Sequence, residues 1–123
     1  MKNEPRSIYH GTLLSDAVKS FKHDIQQDNG IGLWAIVPYG KHHFQLNGSA
    51  LIDFIRRTIL AIITDGGRPV VASETLPIWE ETFQYGTKPE DITDSVIAEW
   101  LAEGASEYVE WGRWWFAEPG CHR

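Results

Sequence analysis

Ala50-Leu51-Ile52-Asp53-Phe54-Ile55-Arg56-Arg57-Thr58-Ile59-Leu60-Ala61-Ile62-Ile63-Thr64, followed by Asp65-Gly66-Gly67 and then Arg68-Pro69-Val70-Val71-Ala72, decides how this chain folds. Leu51, Ile52, Phe54, Ile55, Ile59, Leu60, Ile62 and Ile63 cover most of a helix circumference. The spacing therefore predicts a central buried helix over 50–64. Its narrow polar side holds Asp53, Arg56 and Arg57, and Asp53 and Arg57 stand four apart, where they can pair. Asn47 or Ser49 opens the helix and Gly66-Gly67 ends it. Val70 and Val71 mark a short strand over 68–72, which Pro69 places near an edge or at a strand start.

Towards the N-terminus, Leu14, Val18, Phe21 and Ile25 form a helical stripe with Leu13 and Ala17 beside it. This predicts a helix over about 13–28, capped by Thr12 or Ser15 and left through Asn29-Gly30. Residues 1–11 are polar and read as an arm. Residues 33–46 read as a short buried helix or as a hairpin, the helix being preferred, with Pro38 halting either element. Towards the C-terminus, Trp79, Phe83 and Tyr85 suggest an extended arm or wing. Thr87-Lys88-Pro89-Glu90 has the spacing of a capping box. The helix after it turns Ile92, Val96, Ile97, Trp100 and Leu101 inward and closes at Gly104. Tyr108–Ala117 reads as an aromatic strand, and 119–123 as a tail. The expected architecture is a single α+β domain over 1–123, with three to four helices packed against a small antiparallel sheet.

Leu33-Trp34-Ala35-Ile36-Val37-Pro38-Tyr39-Gly40, followed by the long helix, Gly66-Gly67 and a short strand, resembles a winged-helix variant. In element order, residues 13–117 are also similar to small acidic bacterial proteins of unknown function, some of which are immunity proteins that accompany polymorphic toxins. The resemblance implies a winged-helix-like layout and a cytosolic protein that neutralises a toxin. It rests on element order and transfers no functional residue.

Charge separates the function classes. The 123 residues carry a formal net charge of −6. Residues 1–73 hold 8 Lys/Arg and 6 Asp/Glu, a net of +2, whereas residues 74–118 hold 2 Lys/Arg and 11 Asp/Glu, a net of −9. The total disfavours nucleic acid and anionic membranes, which need clustered cations, and its distribution points to a binding face near the C-terminus. The long helix offers only Asp53, Arg56, Arg57 and Thr64 as a reading face for DNA. The longest apolar run, Ile59–Ile63, is far too short to span a bilayer. A lone cysteine, Cys121, and a start without an apolar stretch point to a reducing, cytoplasmic setting.

Catalytic and metal chemistry find no pattern. His42-His43 and Cys121-His122 are adjacent pairs whose side chains diverge, and His10 and His23 have no partner at ligand spacing. There is no Gly-x-Ser-x-Gly elbow, and Gly30-Ile31-Gly32 lacks the lysine of a phosphate loop. We therefore expect no enzyme, cofactor or metal. Five of the six tryptophans lie in the acidic segment. Either an acidic exterior covers an aromatic core, or acidic residues rim aromatic anchors for a partner. On the second reading the partner-binding residues are Trp79, Glu80, Glu81, Glu103, Glu107, Glu110, Trp111 and Trp114. The partner is then a basic protein, and a nuclease-type bacterial toxin is the expected one. The alternative is a winged-helix-like regulatory or scaffolding module acting through protein contacts or self-association.

Overall fold

The computed structural model describes residues 4–24, 30–72 and 79–118. The element order is α1 (Leu14–Asp24), β1 (Ile31–Gly32), α2 (Leu33–His43), α3 (Gly48–Thr64), β2 (Arg68–Ala72), β3 (Trp79–Glu81), α4 (Pro89–Ala102) and β4 (Trp115–Ala117). The end of the helix expected to reach 28, the tail over 119–123 and residues 76–78 lie outside the described residues.

The long apolar segment is α3, and it is central. Leu51, Phe54, Ile55, Thr58, Ile59, Ile62 and Ile63 are buried at a helical spacing, and the helix packs against α1, α2 and α4. Thr58 is tolerated in this core because its hydroxyl donates to the Phe54 carbonyl at 2.8 Å. The polar edge pairs differently from the expectation. Arg56 bonds Asp94 of α4 and so ties two helices together, instead of Asp53 meeting Arg57 within one.

Residues 33–43 are helical, as preferred, but Pro38 does not end the helix. Its missing N–H removes the bond to the Trp34 carbonyl. Trp34 and Pro38 lie on the side away from the buried Leu33, Ile36, Val37 and Gly40, so solvent can satisfy that carbonyl. Gly40 is where α2 touches α3, and a Cβ there would lie 2.8 Å from the Phe54 ring.

The sheet order is β1-β4-β2-β3, with antiparallel pairs throughout. The α+β class thus holds, with four helices and a four-stranded sheet among the described residues. Pro69 sits at the start of β2, which is an interior strand. A helix, α4, stands between the β2–β3 hairpin and the last strand, and the winged-helix layout is not established by this arrangement.

Ile31 and Phe116 face the helices and join their core. Val70, Trp79, Trp115 and Ala117 form a separate cluster on the opposite face. There the Trp79 and Trp115 rings stack with centroids 5.6 Å apart, and Trp111 leans on Trp115 at 4.9 Å. Gly32 is opposite Trp115, and a Cβ on it would stand 2.3 Å from Cε3 of that ring. With Trp79 stacked on the same ring, we expect Gly32→Ala to destabilise the fold by about 1–3 kcal/mol, the cost of overpacking. A lowered urea midpoint at unchanged slope is the measurement that checks it.

Two sequence expectations fail around α4. Lys88, not Thr87, occupies the cap position, and no side chain caps the helix. Pro89 takes the first helical position, so the start moves one residue along and the Thr87–Glu90 box is out of register. Thr93 instead donates to the Pro89 carbonyl at 2.8 Å. Leu101 is not inward; it is 44% exposed, one position past the stripe that ends with Trp100.

Residues 4–13 fold back as a closed turn and are less of an arm than expected. Arg6 bridges to Leu13, and the Glu4 carboxylate accepts the Ser15 amide at the start of α1. The turn is fastened to the end of α2. The Ile8 amide donates to the His43 carbonyl at 2.8 Å, and Ser7 Oγ lies 3.0 Å from His43 Nδ1. Ser7 Oγ also accepts the Tyr9 and His10 amides, so its own hydrogen is free for an unprotonated His43 nitrogen. Tyr39 stacks on the imidazole at 3.8 Å, and Tyr9 and His10 also touch it.

Desolvation, with the charges of His10 and His42, holds the His43 pKa below its usual 6.5. A histidine lowered in the folded state binds its proton more readily when unfolded. Its contribution is therefore fully present above pH 6.5 and declines as pH falls from there to the lowered folded value. The urea midpoint of the wild type should fall across that window, and His43→Phe should flatten the fall.

Candidate functional site

The surface of interest is built by residues 103–114. After α4 the chain reverses at Gly104, whose φ is +105°, and the Ala105 amide returns to the Trp100 carbonyl at 2.9 Å. The Trp100 indole N–H fastens the next stretch through the Ser106 carbonyl at 2.9 Å. Residues 107–110 then alternate. Glu107 and Val109 turn towards the protein, while Tyr108 and Glu110 turn out.

The strand expected over 108–117 is confined to 115–117. Gly112 at φ +91° and Trp114 at φ +51° break the pleat, since left-handed residues cannot continue a strand. The turn they make sends Trp114 into the helical core and leaves Trp111 outside. A strand over these residues would put Trp111, Arg113 and Trp115 on one face; the turn replaces that arrangement, although Trp111 and Trp115 still meet through it.

The acidic residues divide by whether the chain neutralises them. Glu107 accepts from His42 Nε2 at 2.7 Å and lies 3.6 Å from Lys41 Nζ, and the His42 bond foremost holds its pKa below the usual range. Glu103 is held by both terminal nitrogens of Arg113, whose pKa this pairing raises. Glu81 stands 3.9 Å from Arg68. Glu99 accepts the Tyr85 hydroxyl at 2.6 Å and the Trp114 indole at 2.7 Å, and those bonds lower its pKa. Burial, reinforced by the Glu99 bond, pushes the Tyr85 phenol up to about 12. Glu80 and Glu110 are exposed and have no ion-pair partner among the described residues.

Glu110 occupies a distinctive place. It lines a cleft of about 600 Å³ with Trp34, Pro38, Glu107, Tyr108 and Val109. It also lines a second cleft of about 350 Å³ with Trp79, Trp111 and Arg113. A third, of about 210 Å³, has Glu110 beside Trp100, Tyr108 and Arg113. Around this shared carboxylate, Trp34 is 49% exposed, Tyr108 88% and Trp111 56%. Three large rings in water beside an acid that has no ion-pair partner among the described residues make a surface suited to a cationic, partly apolar ligand.

The residues singled out from sequence are thus brought together in part. Glu110 and Trp111 are at the centre. Glu103 and Glu107 are at the rim, already paired. Glu80 and Glu81 lie on β3, beside Trp79. Trp79 and Trp114 are buried and support the surface from below. Sequence reasoning missed Trp34, because it lies outside the acidic segment. A signal existed: the stripe Leu33, Ile36, Val37, Gly40 leaves Trp34, Pro38 and Lys41 on the opposite side of α2.

Among the described residues, no group of three His, Cys, Asp or Glu stands close enough to hold a metal ion. No helix among them is long and apolar enough to cross a membrane. No protein-family model, curated protein or solved structure matches the chain.

The six tryptophans should fall into two populations in acrylamide quenching of their fluorescence. Trp34 and Trp111 should supply the accessible part, and the double variant Trp34→Phe, Trp111→Phe should leave only the protected one.

Proposed function

We propose that this chain is a protein-recognition module that binds a cationic partner through the surface around Glu110. The observation that carries this reading is the Glu110 carboxylate, without an ion-pair partner among the described residues, shared by three clefts and flanked by exposed Trp34, Tyr108 and Trp111. Exposed aromatic rings supply contact area at low cost in side-chain entropy, and the acid supplies direction and encounter rate. The surrounding charge, a net of −9 over residues 74–118, favours an unlike partner over a second copy of the chain. A nuclease-type bacterial toxin fits the description, since an enzyme that handles phosphate backbones presents a cationic cleft. Neutralisation would then be steric and electrostatic, with Glu110 standing in for a phosphate. The role is binding and needs no chemistry from the module.

The internal ion pairs make the acids unequal. With purified basic nuclease domains as probes, Glu110→Gln should slow association and reduce its salt dependence more than Glu103→Gln or Glu107→Gln does. The effect should reach about fivefold, the upper range for one exposed ion pair. Stopped-flow association at low and moderate salt reads it. If no basic protein binds, or if Glu110→Gln and Trp34→Ala leave binding unchanged, this surface is not the site.

A further inference from the structure

The clefts around Glu110 differ from a plain acidic surface in what they offer a cation. A lysine ammonium is a strongly hydrated point charge and takes little from a neighbouring ring. A guanidinium is planar and weakly hydrated, so it can lie on an aromatic face while two of its N–H groups meet one carboxylate. Glu110 has exposed rings on both sides, Tyr108 and Trp34 in one cleft and Trp111 in another.

The chain shows the same preference in its own contacts on this surface. Arg113 places its guanidinium carbon 4.2 Å from the centroid of the Trp114 ring while both terminal nitrogens hold Glu103. Lys41 makes a single approach to Glu107, at 3.6 Å. Arg113 also stands 3.9 Å from Glu99. Arg113 is therefore committed to other carboxylates, although it lines two of the same clefts as Glu110.

We infer that the Glu110 surface reads an arginine side chain on its partner, with apolar neighbours of that arginine seated in the flanking clefts. The inference rests on the proposed function and names the chemical group that the module selects. The guanidinium bonds the Glu110 carboxylate and lies against Trp111 or Tyr108. The apolar neighbour enters the cleft between α2 and residues 107–110, against Trp34 and Pro38.

The test uses the full chain and three labelled peptides, identical except at their centre. One has a single arginine flanked by leucines, one has lysine in its place, and one has glutamine. Binding is read by anisotropy and by the change in tryptophan emission. The arginine peptide should bind about fivefold more tightly than the lysine peptide, the worth of one exposed cation–ring contact. The glutamine peptide should bind more weakly than either. In Glu110→Gln and in Trp111→Ala the arginine–lysine difference should shrink, while Glu103→Gln should retain it.

Equal binding of arginine and lysine peptides, both lost in Glu110→Gln, would overturn the arginine preference and leave the cationic-partner reading intact. Equal binding of all three peptides, or of none, would overturn this inference. Association of the basic nuclease domains decides separately whether the wider reading falls.

Discussion

Trp115, Phe116 and Ala117 are buried, and they pair with β1 on one edge and β2 on the other. The rest of the molecule is arranged on this double burial. Phe116 joins the core of the helices, while its neighbour Trp115 fills the opposite face between Gly32 and Trp79. Alternating side chains thereby join the helical layer and the tryptophan layer through one strand. The turn before β4 inherits its geometry from that requirement. Trp114 must enter the helical core immediately before Trp115 enters the other layer, and a left-handed backbone at Trp114 makes the change of direction. A bulky residue in that conformation is strained. The two cores on either side of the strand hold it there.

The same turn produces the surface. By sending Trp114 inward and Trp115 across the sheet, it leaves Trp111 on the outside and Glu110 at the meeting point of the clefts. Glu107, held by Lys41 and His42, keeps the stretch against α2, so the two walls of the cleft between Trp34 and Tyr108 are fixed to each other. A surface with fixed walls loses little freedom on binding, which favours affinity from modest contact area.

The parts of the fold that sequence discloses are those governed by a regular period. The apolar stripe of α3, the helix at 14–24, the strand at 68–72 and the helix after Pro89 follow from local spacing. What it conceals is set by distant contacts. Glu107 meets His42 across 65 positions, and no local pattern reveals that this acid is paired while Glu110 has no ion-pair partner among the described residues. The stretch 108–117 misleads because aromatic alternation is a strand signal. Gly112 and Trp114 override it through dihedral angles that composition does not express. Pro38 misleads in the opposite sense: the missing hydrogen bond falls on the open side of α2 and is cheap to lose.

The position of β4 also has a consequence in time. β1 and β2 are made early, yet neither pairs with the other; each is bonded to β4, the last strand in chain order. During synthesis the helices can form and gather as they emerge, but the middle of the sheet stays vacant until residues 115–117 arrive. Sheet closure is therefore a late event, and the helical core lacks one of its buried rings until Phe116 arrives. Growth from the N-terminus and assembly of the sheet run in different orders, and the final strand is the one that brings them together.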